Sequence, residues 1–132
     1  MRRAFADTFY FLALLNHKDS AHEAALSYYG ASGFGIVTTE WILTEVADAH
    51  AMPALRQGCH RLLDTLRNDP GVTIVPSCHD LWERGLRLFF DRPDKAWSLT
   101  DCISFVVMRD HKITHALTAD RHFAQAGFAV LL

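Results

Sequence analysis

The stretch Ala116-Leu-Thr-Ala-Asp120-Arg-His-Phe123 has the pattern of a short apolar strand that ends in an acid and passes into a helix. The stretch Arg3-Ala-Phe-Ala-Asp7-Thr8 shows the same pattern near the amino terminus, ahead of a helical run over residues 9–15. In open parallel α/β sheets, ligands bind in the crevice outside the carboxyl ends of the strands. We therefore expect Asp7 and Asp120 to meet at one edge of a sheet, although they are far apart in sequence.

Strand signals alternate with helical patterns along the whole chain. This alternation predicts parallel strands joined by right-handed crossovers. The expected fold is α/β, a three-layer α/β/α sandwich with a central parallel sheet of about five strands. At this length, residues 1–132 are expected to form a single domain. The strands are predicted at residues 3–6, 35–38, 72–75, 115–118 and 128–131.

Residues that can cap a helix predict where the helices begin. Segment 20–23 has the spacing of a capping box, and segment 77–80 ends in an acid at the start of another apolar helical pattern. Thr39 is expected to cap the helix that carries Glu45, and Ser98 or Thr100 is expected to cap the helix that carries Asp101.

The composition is typical of a soluble globular protein, with 50% hydrophobic and 21% charged residues. The formal net charge is −2, and no basic stripe marks a nucleic-acid binder. The apolar runs are too short to span a membrane, so a cytoplasmic location is expected. Three cysteines without CxxC spacing favour neither disulfides nor a zinc site, and buried, reduced thiols are expected at Cys59, Cys78 and Cys102.

Four carboxylates lie at strand ends or on helix faces with no basic residue placed to neutralise them: Asp7, Glu45, Asp101 and Asp120. Each alone has an ordinary explanation, because acids at helix starts act as caps and a glutamate within a helix is usually solvated. Hard oxygen ligands from several elements are, however, what Mg²⁺ or Mn²⁺ requires. The joint placement therefore favours a site for a divalent metal.

Four segments of the chain form one recognisable pattern: Asp7-Thr8 with Leu12-Ala-Leu-Leu15, Thr39-Glu-Trp-Ile-Leu-Thr-Glu45, Trp97-Ser-Leu-Thr-Asp101-Cys-Ile-Ser-Phe105, and Leu117-Thr-Ala-Asp120-Arg-His-Phe123-Ala-Gln-Ala-Gly127-Phe128. Together they resemble the PIN-domain nucleases, and within them the VapC-type toxins of prokaryotic toxin–antitoxin modules. The most specific part of the resemblance covers residues 94–128.

The resemblance implies a PIN-like fold and a metal-dependent endoribonuclease that cleaves RNA phosphodiester bonds as the toxin of a type II toxin–antitoxin pair. It makes Asp7, Glu45, Asp101 and Asp120 the catalytic and metal-binding tetrad, with Thr118 as a supporting polar group. One or two Mg²⁺ or Mn²⁺ ions would act on the scissile phosphate and on a water molecule, oriented by Glu45 or Asp120. The implied partners are an RNA substrate and a small antitoxin protein.

Two positions depart from the family pattern. Residue 9 is Phe, where relatives more often carry Ser or Asn near the metal. Phe105 stands one helical turn after Asp101, where a further acid would support a second metal. Near the tetrad, Arg121 and Lys95 are candidate contacts for a substrate phosphate, with a solvated arginine or a local ion pair as the alternative for Arg121.

Other classes of protein fit the sequence less well. A haloacid-dehalogenase-like phosphatase would need a second Asp two residues after Asp7, and a response-regulator receiver would need an Asp at the end of its third strand, where residues 72–76 have none. No Gly-rich phosphate loop follows Asp7 or Thr38, which argues against a nucleotide cofactor. A catalytically silent PIN-like module that binds RNA or protein remains the alternative.

The aromatic content predicts self-association. The chain has more large aromatic side chains than a small core readily encloses, and exposed apolar patches usually mark interfaces. A twofold homodimer is therefore expected. The residues considered for the patch are Tyr28, Tyr29, Trp41, Phe89, Phe90 and Trp97.

Overall fold

A computed structural model describes residues 2–31 and 33–132, which form a parallel sheet covered by helices. The strands are β1 (Arg2–Ala6), β2 (Phe34–Thr39), β3 (Val72–Val75), β4 (His115–Leu117) and β5 (Ala129–Val130). The helices are α1 (Thr8–Leu15), α2 (His22–Tyr28), α3 (Glu40–Ala49), α4 (Pro53–Asn68), α5 (His79–Asp91), α6 (Leu99–Asp110) and α7 (Arg121–Gln125). The predicted α/β architecture and the five parallel strands are confirmed.

The strand order β3-β2-β1-β4-β5 places β1 at the centre of the sheet. The chain moves outward from β1 to β2 and β3, then crosses back to β4 on the other side of β1 and moves outward again to β5. Because right-handed crossovers in opposite directions put their helices on opposite faces, the reversal yields a three-layer sandwich. Contacts between helices agree, since α1, α2, α3 and α4 pack together and α6 packs on α5 and α7.

The centre of the sheet is buried on both faces. Ala4, Phe5 and Ala6 of β1 are fully buried, as expected for a parallel strand covered by helices on each side. Helix α6 is buried at every position from Asp101 to Met108, so it is the core helix of its layer. Asp101 is therefore carried on a rigid, well-packed element.

Helices α5 and α6 are in close contact at Gly85. A methyl group in place of the Gly85 hydrogen would overlap the Cγ1 atom of Ile103. Gly58 in α4 offers a contrast, because nothing lies within 4 Å of the position that its Cβ would occupy. The Gly85 contact sets the spacing of the α5–α6 layer.

Two of the expected helix caps are present. The Thr39 hydroxyl accepts a hydrogen bond from the Ile42 N–H at 3.1 Å, and Ser98 forms a capping box with Asp101. Ser98 rather than Thr100 is thus the cap of α6.

Two other predicted caps are wrong. The capping box over 20–23 does not form, because α2 begins at His22 and Asp19 Oδ1 accepts the Ala21 N–H in a tight turn at 2.8 Å. Segment 77–80 does not cap α5 with a side chain, because the Ser77 N–H and hydroxyl both donate to Glu40 Oε1, at 2.6 and 3.1 Å. The competing partner of Ser77 lies 37 residues away in sequence.

Two burial predictions also need correction. Cys78 is exposed, whereas Cys59 and Cys102 are buried as expected. Trp97 is only 4% exposed and packs edge-on against Phe105, so it belongs to the core rather than to a surface patch.

The exposed aromatic side chains are concentrated on α5. Phe90 is 71% exposed, and Phe89 and Trp82 are partly exposed on the same helix.

Among the described residues, no helix combines the length and the hydropathy that a membrane span requires.

Candidate active site

A pocket of about 560 Å³ opens where the strand order reverses, between the carboxyl ends of β1 and β4. This is the position expected for a ligand site in an open parallel sheet. We call it the carboxylate pocket, because all four predicted carboxylates line it: Asp7, Glu45, Asp101 and Asp120. Thr8, Phe9 and His122 are also part of the lining.

Asp7 ends β1 and is the most buried of the four acids named above, with 7% of its surface exposed. It stands at the N-cap position of α1, but its side chain makes no capping hydrogen bond. Instead, Asp7 Oδ2 accepts a hydrogen bond from the buried Thr118 hydroxyl at 2.9 Å. The Thr118 oxygen in turn accepts the Asp120 N–H at 3.0 Å, so Thr118 ties the ends of β1 and β4 together.

Asp101 and Asp120 are both helix caps as well as pocket residues. Asp101 Oδ2 accepts the Ser98 N–H at 3.1 Å, which completes the capping box of α6. Asp120 is the N-cap of α7, and its Oδ1 accepts the His122 N–H at 2.9 Å. The ordinary explanation of these acids therefore holds, and the caps also fix the two carboxyl groups at the rim of the pocket.

Glu45 reaches the pocket from α3. Its side chain is exposed, and Oε1 accepts a hydrogen bond from the Thr8 hydroxyl at 2.6 Å. Thr8 begins α1, directly after Asp7. The Thr8 contact thus draws a solvent-facing glutamate toward the buried aspartate.

The electrostatics of the pocket favour a bound cation. Burial, with smaller contributions from the carboxylates of Asp101 and Asp120, raises the pKa of Asp7 from 3.8 to about 6. Burial also raises the pKa of Asp101, and the neighbouring Asp120 acts in the same direction. No lysine or arginine is among the described residues that line the pocket. Within the described residues, the ionised carboxylates are therefore left without a lysine or arginine partner in the pocket lining.

The family model of the PIN domain matches residues 4–129, almost the entire chain. The chain belongs to the PIN domain family. No curated protein matches it in sequence. The predicted family is confirmed, and the four carboxylates lie at the strand-end pocket of this PIN domain.

Solved structures similar to this PIN domain include VapC toxins. Mycobacterium tuberculosis VapC20, a toxin that cleaves the sarcin-ricin loop, is 25% identical, with 96% of each chain covered and a TM-score of 0.85. VapBC2 from Rickettsia felis, bound to a DNA fragment from its promoter, is 11% identical over 97% of this chain and 96% of that one, with a TM-score of 0.69. FitAcB from Neisseria gonorrhoeae is 16% identical over 98% and 96%, with a TM-score of 0.65. The last two likenesses support the fold alone.

The two departures from the family pattern have different structural consequences. Phe9 is half-buried and lines the carboxylate pocket, so an apolar ring borders the acids of this PIN domain. Phe105 is fully buried and packs edge-on against Trp97 and Phe123. An acid at position 105 would lie inside an aromatic cluster rather than at the pocket.

The two candidate phosphate contacts stand at the edge of the site. Arg121 is exposed and follows Asp120 directly, and Lys95 is half-buried next to Ala96, a lining residue. Neither side chain lines the pocket itself. Both positions suit contact with a substrate that extends beyond the pocket, and their roles stay predictions.

His122 is a polar residue of the pocket that was not among the predicted site residues. Its Nδ1 lies 3.1 Å from Asp101 Oδ2 and 3.4 Å from Asp120 Oδ1. The signal in the sequence is a histidine two positions after Asp120, the N-cap residue of α7. At this position the His122 ring lies close to the Asp120 carboxyl group. Histidine is common at surfaces, so this spacing became informative only once α6 and α7 were seen to converge.

Proposed function

We propose that this PIN domain is a metal-dependent endoribonuclease, the toxin of a type II toxin–antitoxin pair, with residues 1–132 acting as one catalytic domain in the cytoplasm. The observation that carries the proposal is the convergence of four carboxylates in one pocket, with no lysine or arginine among the described residues that line it. The likeness to VapC20, a toxin that cleaves RNA at the sarcin-ricin loop, supports RNA as the substrate.

The donor set fits Mg²⁺ or Mn²⁺. Asp7, Asp101, Asp120 and Glu45 offer carboxylate oxygens, the ligands that these hard cations prefer. Asp7 is buried with one hydroxyl donor, so a cation would stabilise its ionised form. When bound there, a divalent ion supplies Lewis-acid chemistry, offsetting phosphate charge and making a water molecule more acidic.

The side chains around the pocket divide the remaining work. Thr118 holds the Asp7 carboxyl in one orientation, and Ser98 does the same for Asp101. Glu45 is exposed and accepts a hydrogen bond from Thr8, so it is placed to accept a proton from water or to orient a water molecule. Arg121 and Lys95 would contact substrate phosphates beyond the pocket.

A cleavage assay on RNA tests the proposal. The purified chain, stripped with EDTA, should regain cleavage with Mg²⁺ or Mn²⁺, and Asp101→Asn should lower the rate by more than ~100-fold because it removes charge from the ligand set while keeping the cap. Asp48→Asn changes an exposed acid of α3 away from the pocket and should leave the rate unchanged. RNA binding without metal-dependent cleavage would instead identify a silent binding module.

The exposed aromatic side chains of α5 support a homodimer. Trp82 and Phe89 lie seven positions apart on one helix face, and Phe90 extends the apolar surface. Light scattering at tens of micromolar protein should show a dimer. A dissociation constant in this range corresponds to a binding free energy of about −6 kcal/mol. Phe90→Asp should shift the population toward monomer, whereas Leu55→Asp, at an exposed leucine of α4, should not. A monomer at every concentration would refute the assignment.

A small antitoxin protein is the proposed partner. Co-expression of this chain with the product of the adjacent reading frame should yield a stable complex and suppress the RNA cleavage described above. Cleavage that persists in such a complex would contradict the toxin–antitoxin assignment without affecting the nuclease assignment.

A further inference from the structure

His122 places a nitrogen atom between two of the proposed metal ligands. Its Nδ1 is 3.1 Å from Asp101 Oδ2 and 3.4 Å from Asp120 Oδ1, and one donor atom from each of these three residues lies within 4.8 Å of the others. The His122 side chain is 22% exposed, so the ring is held against the pocket rather than extended into solvent.

These spacings are those of neighbouring ligands on one ion. Octahedral coordination with bonds of about 2.1 Å puts adjacent ligand atoms about 3.0 Å apart. The separations at His122 are close to that value, although a lone hydrogen bond to Asp101 would explain only the first of them. Nothing need move far for Nδ1, Asp101 and Asp120 to share an ion.

The backbone fixes this arrangement before any ion binds. The His122 N–H donates to Asp120 Oδ1 at 2.9 Å, so the residue is tied to the carboxyl that its ring faces. Helix α7 continues with Phe123, which is fully buried and packs against Phe5 and Phe105. The ring of His122 is therefore positioned by both the cap of α7 and the core.

We propose that the Nδ1 lone pair of His122 is a direct ligand of the divalent ion, alongside Asp101 and Asp120, and that it biases the site toward Mn²⁺ over Mg²⁺. This inference rests on the metal dependence proposed above. Mg²⁺ binds almost entirely through oxygen, whereas first-row transition ions accept imidazole nitrogen readily. A ligand set of nitrogen and oxygen therefore discriminates between Mn²⁺ and Mg²⁺ more strongly than an all-carboxylate site would.

Pulsed electron paramagnetic resonance on the Mn²⁺-loaded chain reads this coordination directly. The wild type should show hyperfine coupling to a coordinated ¹⁴N nucleus, and His122→Asn should lose it. His60→Asn, which changes an exposed histidine in α4, should keep the coupling. A spectrum of bound Mn²⁺ without nitrogen coupling in the wild type, or with unchanged coupling in His122→Asn, would overturn the inference.

Calorimetry provides the second measurement. Asparagine at position 122 keeps an amide donor near the place of Nδ1, so a role limited to the hydrogen bond with Asp101 would survive the change. We expect the ratio of Mn²⁺ to Mg²⁺ affinity to fall on the order of tenfold in His122→Asn and to stay constant in His60→Asn. An equal ratio in wild type and His122→Asn would refute the role of His122 alone, whereas failure of the wild type to bind either ion would refute the metal dependence itself.

Discussion

Replacing Asp7 with asparagine should stabilise the metal-free protein while abolishing RNA cleavage. Asp7 is buried, and its pKa is raised from 3.8 to about 6 mainly by that burial. An acid whose pKa is higher in the folded state binds its proton more tightly there than in the unfolded chain. The ionised carboxylate therefore lowers stability at neutral pH, and Asn removes this cost while leaving an oxygen for the Thr118 hydroxyl.

The size of the effect follows from the pKa shift. A difference of roughly two pKa units, at about 1.4 kcal/mol per unit, corresponds to ~3 kcal/mol above pH 7. The same relation leaves ~1.5 kcal/mol at pH 5 and ~0.5 kcal/mol at pH 4, because both states of the chain become protonated as the pH falls. For a domain of this length, the gain at neutral pH is a rise of about 10 °C in melting temperature.

Thermal melts of wild type and Asp7→Asn in EDTA, between pH 4 and 7.5, measure this directly. The variant should melt higher at pH 7.5, and the two curves should converge near pH 4. Adding Mn²⁺ should raise the melting temperature of the wild type much more than that of the variant, since the lost carboxylate is a proposed ligand. Asp48→Asn, an exposed acid, should follow the wild type throughout.

The reasoning fails if Asp7→Asn melts below the wild type in EDTA at neutral pH, or if the difference does not shrink with acidification. Either result would mean that the ionised Asp7 carboxylate does not lower the stability of the folded state at neutral pH. Full cleavage activity in the variant would separately remove Asp7 from the metal site.

Three further outcomes can be checked on single variants. Arg121→Gln should weaken RNA binding and flatten its dependence on salt while Mn²⁺ affinity stays the same, and an unaltered salt slope would assign Arg121 to structure. Gly85→Ala should lower the free energy of unfolding in urea by about 1–3 kcal/mol, because the added methyl group would overlap Ile103. Gly58→Ala places a methyl group in open space within a helix and should raise the free energy of unfolding by about 0.5–1 kcal/mol. Tyr10→Phe should leave stability unchanged or raise it by about 1 kcal/mol, since the buried Tyr10 hydroxyl has no hydrogen-bond partner in the described structure, and a clear loss would imply a bound water there.

The fold was predictable because its signals are local. The alternation of apolar strands with helical patterns predicted all five strands, and β3 was predicted with its observed bounds. Asp7 and Asp120 were identified as neighbours because parallel strands end on the same edge of a sheet. Thr39 also capped its helix as expected, since its partner is three residues away.

Features decided by distant residues were not predictable in this way. Ser77 was expected to cap a helix. Its N–H and hydroxyl instead donate to Glu40, which lies at the start of α3. His122 took on meaning only when α7 was seen to bring it against Asp101 of α6. Local propensity thus described the elements, and the contacts between them required the tertiary structure.

The hydrogen bond from Thr118 to Asp7 joins groups 111 residues apart in sequence, and it has a consequence for biosynthesis. A chain emerging from the ribosome presents Asp7 and Glu45 early, but Asp101 and Asp120 follow only after most of the polypeptide has been made. The pocket therefore cannot form on a nascent chain that lacks Asp101 and Asp120. Until β4 has been synthesised, one edge of β1 has no strand to pair with. A partly synthesised chain therefore lacks the complete set of four carboxylates, and the pocket is assembled only after β4 and α7 have been made.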